Sequence, residues 1–270
     1  MSRLALALAC AALAVAAPAR AEPPVDGPWL GIAYSPGSEG VLILEVFEET
    51  AAADAGVRRG DEIVELGGAP VFPASDLPGM LGRFKVGDSM PLGVLRNGHR
   101  LRMVAVLGAR PSDGELLHRR LVDKPAPDLD VARPGDKTRI DLASMRGKPV
   151  LLAFFSTRCE GCASALNRAG ALVRERAPRM AVLAVSGDPV DAVSVYLQRS
   201  PITVPVAVDD IGDAVRAYTV TPADSRLFFS VVDHRGMVRY AAVVAPGDDA
   251  ALAEVAIAAG RAARGAARAR

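Results

Sequence analysis

Two cysteines, Cys159 and Cys162, lie three positions apart where an apolar strand pattern changes into a helical one. Residues 150–155 are all apolar (Val-Leu-Leu-Ala-Phe-Phe), which is typical of a strand buried on both faces. A helix is predicted to follow at once, over residues 162–176. A Cys-x-x-Cys pair at such a junction restricts the fold to one in which a buried strand runs directly into a helix, and it indicates redox chemistry.

The position of the pair predicts different roles for its two sulfurs. Unpaired backbone N–H groups at a helix N-terminus favour a thiolate, so we expect Cys159 to be the exposed, attacking sulfur. Cys162 lies one helical turn further on and is expected to be more buried and to resolve the mixed disulfide. Arg158 adds positive charge beside Cys159 and Glu160 opposes it, and the sequence does not rank these two effects.

The remaining metal-binding residue types do not form a metal site. His99, His118 and His234 are scattered, and no second cysteine pair accompanies the first. We therefore expect no metal and no cofactor other than the cysteine pair itself. An inert structural disulfide is the competing interpretation, but closing so short a loop gains little stability.

The two halves of the chain show different periodicities. Residues 28–110 contain short predicted strands broken by glycines, with Asn97-Gly98 as a hairpin signal, and predict a small, partly open α+β barrel. Residues 124–264 alternate strands and helices and end in a hairpin and a helix, which predicts an α/β sandwich around a mixed sheet. Residues 111–123 between them are predicted to be a linker that contains a short helix at Glu115–Val122.

Residues 1–21 have the three-part layout of a secretory signal peptide. Arg3 precedes an apolar run, and Ala19-Arg20-Ala21 is a small-x-small cleavage site. We expect cleavage after residue 21, loss of Cys10 with the leader, and export to the periplasm or cell envelope. An uncleaved anchor is the alternative.

Charge gives little indication of a partner. The formal net charge of the 270 residues is +1, so no strong field favours nucleic acid. Membrane contact is expected only at the basic C-terminal helix, and a solvated helix end is the preferred interpretation there. The arginines concerned are Arg261, Arg264, Arg268 and Arg270.

Four segments of the first half have a recognisable order and spacing: Trp29-Leu30-Gly31-Ile32, Gly40-Val41, Ala55-Gly56-Val57-Arg58-Arg59-Gly60-Asp61-Glu62-Ile63 and Gly87-Asp88. Over about residues 28–108 they resemble the HtrA-type bacterial PDZ domain. The resemblance implies a C-terminal peptide ligand whose carboxylate binds the backbone at Leu30, Gly31 and Ile32 while its chain adds to the strand edge. Leu77 and Leu81 would floor the pocket for its apolar last side chain, or belong simply to the core.

The second half contains another such set: Lys124-Pro125-Ala126-Pro127-Asp128, Asp141-Leu142, Met145-Arg146-Gly147-Lys148-Pro149, Phe154-Phe155-Ser156-Thr157-Arg158-Cys159-Glu160-Gly161-Cys162 and Val232-Asp233-x-x-Gly236. Over about residues 124–262 it resembles the redoxin group of thioredoxin-fold proteins, the exported TlpA/ResA-like thiol–disulfide oxidoreductases in particular. That resemblance implies a protein thiol or disulfide as substrate.

Three positions depart from the redoxin pattern. Arg158 replaces the usual Trp before the first cysteine, and Gly161 replaces the usual Pro before the second. The third departure concerns the family's cis-proline, which lies opposite the cysteines. Either Pro222 takes this position through a local insertion, or Arg226 or Leu227 stands there instead of a proline.

The leading hypothesis is an exported thiol–disulfide oxidoreductase in which the PDZ module recruits a protein partner. A peroxiredoxin-like peroxidase is the enzymatic alternative, because Arg226 three residues before Phe229 resembles the arginine-plus-aromatic strand of that group. A non-enzymatic PDZ scaffold with a degenerate redoxin domain is the third hypothesis.

Overall fold

The computed structural model describes residues 27–136, 138–220 and 223–267, which form two domains. The predicted signal peptide, residues 1–21, lies outside the described residues, and so do Pro222, Arg268 and Arg270.

The first domain is built from short strands and two short helices. Its elements are β1 (Pro28–Trp29), β2 (Ile32–Pro36), β3 (Val41–Val46), α1 (Ala51–Asp54), β4 (Glu62–Leu66), β5 (Ala69–Pro70), a 3-10 turn (Ala74–Asp76), α2 (Leu77–Leu81), β6 (Ser89–Arg96), β7 (His99–Val106) and β8 (Gly108–Ala109).

These strands form an open sheet in the order β2-β3-β4-β6-β7, with β5 beside β4 and a small β1-β8 pair. Asn97 and Gly98 join β6 to β7 with φ angles of 51° and 79°, which confirms the predicted hairpin turn. Among the described residues β2 and β7 end the sheet, so the barrel does not close. Strand β2 therefore has an unpaired edge.

The second domain alternates helices and strands. Its elements are α3 (Asp113–Leu121), β9 (Asp130–Ala132), β10 (Arg139–Asp141), a 3-10 turn (Leu142–Met145), β11 (Val150–Phe155), α4 (Cys162–Arg176), β12 (Ala181–Ser186), α5 (Val190–Arg199), β13 (Val206–Val208), α6 (Asp213–Tyr218), β14 (Leu227–Val232), β15 (Val238–Val244) and α7 (Asp249–Ala267).

The seven strands lie in the order β10-β9-β13-β12-β11-β14-β15, with β11 parallel to β12 and antiparallel to β14. Residues of α4 and α7 fill the core on one face of the sheet, and residues of α3 and α6 fill the core on the other. All six residues of β11 are buried, because the strand lies between these two cores. The β9–β10 hairpin was not predicted, because strands of three residues show no clear alternation.

Helix α3 lies within the segment predicted to be a linker. Ser112 caps it through a capping box with Glu115. Leu117 and Leu121 are 0% and 1% exposed and belong to the core of the second domain. The segment is therefore a packed helix that links the two domains.

Helix α7 buries its apolar side against the second domain, where Leu252 and Val255 are fully buried. Arg261 and Arg264 lie on its exposed side. Within the described ranges, no helix has the length and apolar character needed to cross a membrane.

Candidate functional site

The cysteine loop joins the central strand β11 to helix α4. Cys162 is the first residue of α4, and Gly161 before it has φ = 80°, in the left-handed region. Proline holds φ near −65°, so the usual proline does not fit this backbone. Glycine at position 161 is thus the residue that the observed loop requires.

Cys159 and Cys162 form a disulfide with their Cα atoms 5.5 Å apart. Their exposed fractions are 1% and 0%, and both belong to the core cluster on the α4–α7 side of the sheet. The prediction that Cys159 is the exposed sulfur is wrong for this disulfide form. The physical reason is that the loop folds back onto the sheet, so both sulfurs join the apolar layer that contains Phe155 and Leu227.

Asp188, just after β12, holds the start of the cysteine loop. Its carboxylate accepts the Thr157 backbone N–H at 2.5 Å and the Ser186 hydroxyl at 3.3 Å. Burial, the largest single effect, raises the pKa of Asp188, but hydrogen bonds from Thr157, Ser156 and Ser186 together hold it below its ordinary value. The sequence reasoning missed this residue, although Ser-Gly-Asp at the end of a buried strand was a visible signal.

Arg158 and Glu160 flank Cys159 on the surface. The Arg158 guanidinium donates to Asp224 from Nη2 at 2.7 Å and from Nε at 3.1 Å, and this hydrogen bonding raises the pKa of Arg158. Glu160 is exposed. Because Asp224 compensates the charge of Arg158, a thiolate at Cys159 gains less from this arginine than the sequence suggests.

Tyr196 of α5 lies against the first turn of α4. Its hydroxyl accepts the Ala163 backbone N–H at 3.3 Å and is 3.5 Å from the carbonyl oxygen of Cys159. Its ring packs on Phe155 with centroids 6.0 Å apart. Burial raises the pKa of Tyr196, so the hydroxyl is neutral near pH 7. The sequence reasoning also missed Tyr196. Its hydroxyl accepts the Ala163 N–H, which is one of the backbone N–H groups at the start of α4 that were expected to stabilise the thiolate.

Arg226 and Leu227 were the alternatives to a cis-proline opposite the cysteines. Leu227 begins β14 and is fully buried in the core cluster that contains both cysteines. The Arg226 guanidinium instead lies 3.1 Å from the Asp113 carboxylate at the start of α3. Of these two side chains, Leu227 shares the apolar layer of the disulfide. The third alternative, Pro222, lies outside the described residues.

A groove of about 380 Å³ in the first domain brings together the five predicted peptide-binding residues. Its lining includes the predicted residues Leu30, Gly31, Ile32, Leu77 and Leu81 together with Trp29, Tyr34 and Pro78. It lies between the unpaired edge of β2 and helix α2, which is where we predicted that a peptide adds as an extra strand. Leu77 is 1% exposed and belongs to the core, and its role in a peptide pocket stays a prediction.

The loop at the end of the groove has a fixed backbone. Gly31 has φ = 85°, and a Cβ there would lie 2.3 Å from the Cβ of Thr50, so only glycine fits. The Gly31 carbonyl accepts the Phe47 N–H at 3.0 Å, and the Leu30 carbonyl accepts the Ala52 N–H at 2.8 Å. The binding of a peptide carboxylate by this loop stays a prediction.

Comparison with known proteins matches each domain separately. Residues 28–106 match the family model of the PDZ domain, and residues 122–241 match that of the AhpC/TSA family. A curated protein of Pseudomonas savastanoi pv. phaseolicola, named "Probable periplasmic serine endoprotease DegP-like", is 36% identical over 76 residues. The match covers 28% of this chain and 16% of that protein, so the chain spans about one sixth of the relative's length.

Two solved structures show a distant likeness. A secreted Mycobacterium tuberculosis disulfide oxidoreductase, described as homologous to Escherichia coli DsbE, is 18% identical with a TM-score of 0.38, covering 48% of this chain and 95% of its own. Peroxidoxin BcpB from the same organism is 20% identical with a TM-score of 0.42, covering 53% and 97%. Scores this low support no functional conclusion.

Proposed function

The chain joins a PDZ domain to a redoxin domain of the AhpC/TSA type, and on that premise we propose that it is an exported thiol–disulfide oxidoreductase whose PDZ domain recruits a protein partner. The supporting observation is the disulfide between Cys159 and Cys162 at the N-terminus of α4. No cofactor other than the pair is needed, because its two sulfurs take up and release two electrons themselves.

The proposed reduction of a substrate has two exchange steps. The Cys159 thiolate attacks one sulfur of the substrate disulfide, forming a mixed disulfide and releasing the first substrate thiolate. The Cys162 thiolate then attacks the Cys159 sulfur, forming the intramolecular disulfide and releasing the second substrate thiolate. The two electrons pass from the cysteine pair to the substrate, and the reverse sequence oxidises a substrate dithiol.

Burial of the disulfide adds a requirement to this mechanism. Because Cys159 and Cys162 are 1% and 0% exposed, a partner thiol reaches their sulfurs only when the segment from Ser156 to Gly161 moves. We expect this opening to be local, since Asp188 and Tyr196 anchor the loop from outside it.

Cysteine variants test the proposal. Cys159→Ser should lower turnover on a disulfide-bonded protein substrate such as insulin, with dithiothreitol as reductant, by at least about 1000-fold. Cys162→Ser should instead trap a mixed disulfide through Cys159. Full turnover by Cys159→Ser would contradict the assignment, and an inactive wild-type chain would favour the scaffold hypothesis. A reduction potential near about −270 mV would indicate a reductant, and one near about −120 mV an oxidant.

A peroxidase is the second candidate, because the matching model is that of the AhpC/TSA family. Two arginines could take part in peroxide reduction: Arg158, which precedes Cys159, and Arg226, the arginine of the peroxidase-like pattern. Both are paired with carboxylates, Arg226 with Asp113 and Arg158 with Asp224. We therefore expect slower peroxide consumption than disulfide reduction. Faster peroxide consumption that depends on Cys159 would reverse the ranking.

Export is supported by the leader pattern and by the periplasmic name of the DegP-like relative. N-terminal sequencing of the protein from its native cell should begin at Glu22. An intact N-terminus on a cytosolic protein would contradict export.

A further inference from the structure

The two domains meet where helix α3 faces the turn between β3 and α1. The ion pairs across this interface include Arg120 with Glu45 at 2.6 Å, Lys124 with Glu48 at 3.0 Å, and Arg119 with Glu49 at 3.3 Å. The Arg120 side chain is 16% exposed, against 41% for Arg119 and 44% for Lys124. Exposed pairs contribute little, so of these three basic residues Arg120 is expected to contribute most to the interface.

On the side of the first domain, Arg120 connects to the groove through two aromatic rings. Its guanidinium lies over the ring of Phe47, 5.0 Å from the centroid, and that ring is 5.4 Å from the ring of Trp29. Trp29 lines the groove. The Phe47 N–H also donates to the carbonyl of Gly31 in the groove loop. A ligand that shifts Trp29 or Gly31 therefore acts on Phe47 directly.

On the side of the second domain, the same guanidinium reaches the backbone at the end of α6. It donates to the carbonyl of Thr219 at 2.7 Å, just after α6. Five residues further on, Asp224 binds Arg158, the neighbour of Cys159.

Helix α3 is suited to transmit a displacement between these two sides. Its nine residues are capped at the start and pinned to the sheet by Leu117 and Leu121, so they move together. At its start, Asp113 contacts Arg226, the residue before β14. Arg226 is followed by Leu227, which belongs to the core cluster of the two cysteines, so α3 contacts the chain beside the disulfide.

We propose that Arg120 couples peptide binding in the groove to the redox state of the Cys159–Cys162 pair. The inference rests on the proposed function, since it requires a redox-active pair and a groove that binds peptides. Such coupling is reciprocal. The ratio of the peptide Kd values for the oxidised and reduced chain equals the factor by which peptide changes the equilibrium constant for reduction of the disulfide.

The experiment uses the full chain and the tightest-binding decapeptide from a library randomised in its last four residues. The peptide Kd is measured for the oxidised and the dithiothreitol-reduced chain, and the reduction equilibrium against glutathione is measured with and without saturating peptide. We expect both ratios to be at least about threefold and equal, which for a two-electron couple is about 14 mV.

Variants identify the route. Arg120→Ala should bring both ratios to about one. Phe47→Leu should also bring them to about one, because it removes the ring under the Arg120 guanidinium while leaving α3 unchanged. Arg119→Ala is the matched control, because it removes the same charge from the same helix without a contact to Phe47, and it should keep the wild-type ratios. Equal circular dichroism spectra of all variants establish that they fold.

Each outcome decides the inference. Equal Kd values for oxidised and reduced wild-type chain overturn the coupling even where disulfide turnover is present, and unchanged ratios in Arg120→Ala overturn the role of that residue. A chain that binds no peptide in either form overturns the coupling together with the recruiting role of the PDZ domain. Unequal Kd values in a chain without disulfide turnover support the coupling and refute the oxidoreductase.

Discussion

The two domains place their candidate sites in opposite environments. The groove lies beside an unpaired strand edge, and the side chains of Ile32 and Leu81 in its wall are half-buried. The disulfide lies inside a core, with Cys162 fully buried. A peptide adds to an edge whose backbone groups are already available, whereas a buried disulfide reacts only after its loop moves. In the proposed function, peptide recognition therefore uses backbone groups that are already exposed, whereas reactivity of the disulfide depends on local opening.

The same contrast is found in the glycines of the two sites. Gly31 and Gly161 both have left-handed backbones, with φ angles of 85° and 80°. A Cβ at position 31 would lie 2.3 Å from Thr50, whereas one at position 161 would lie 3.2 Å from Pro246. At Gly31 the packing against Thr50 excludes any side chain, whereas at Gly161 the main constraint is the left-handed backbone conformation.

Among the tests that compare the two sites, the largest expected effect is on the groove. Leu81→Asp should weaken binding of a C-terminal peptide at least about 100-fold, because it puts a carboxylate where an apolar side chain and the peptide carboxylate would bind. Binding is measured by calorimetric titration. Leu44→Asp replaces a 46% exposed leucine outside the groove lining and should change affinity less than about twofold. Equal binding by Leu81→Asp, or by an amidated peptide, would contradict a carboxylate-binding groove.

Gly161→Ala tests the preformed conformation of the cysteine loop. Alanine at φ = 80° should cost the oxidised protein about 1–2 kcal/mol of unfolding free energy, measured by urea denaturation. Gly98→Ala is the control, because Gly98 has φ = 79° but no atom within 4 Å of an added Cβ. Gly98→Ala should therefore lose only the unfolding free energy that the left-handed backbone costs an alanine. If Gly161→Ala loses less unfolding free energy than Gly98→Ala, the cysteine loop adopts another conformation.

Asp188→Asn tests the anchor of the same loop through its pH dependence. Hydrogen bonds hold the pKa of Asp188 below its ordinary value of 3.8 in the folded chain, so its stabilisation is full above pH 3.8 and is lost as pH falls through the folded pKa. We expect the variant to be less stable by about 1 kcal/mol at pH 7 and the difference to shrink towards pH 3. Urea unfolding at both values measures this, and a constant difference would refute a charge-dependent anchor.

The smallest expected effect concerns the charge beside Cys159. Asp224→Asn releases the Arg158 guanidinium from its carboxylate partner, which favours the thiolate. Alkylation of Cys159 by iodoacetamide in the reduced protein at pH 6 should be about two- to fivefold faster. Asp213→Asn, which breaks the ion pair of Asp213 with Arg216 on α6, is the control and should leave the rate unchanged. A slower reaction would mean that Asp224 acts by positioning the loop.

Local sequence determined the elements and their order. The apolar run of β11, the start of α4 at Cys162 and the Asn97-Gly98 hairpin were all predicted within a residue or two, because periodicity and turn preference act over a few neighbouring positions. Two family resemblances then predicted the order of the domains and the five groove residues.

Only the tertiary structure decided the environment of the cysteines. The partners that hold their loop lie far along the chain: Thr157 and Asp188 are separated by 31 positions, Cys159 and Tyr196 by 37, and Arg158 and Asp224 by 66. The burial of Cys159 likewise results from a sheet whose strands come from 150–155, 181–186 and 227–232. A residue such as Asp188 can be noticed from its local sequence, but its partner cannot. The packing of the sheet, and not the neighbouring residues in sequence, decides which distant residues come into contact.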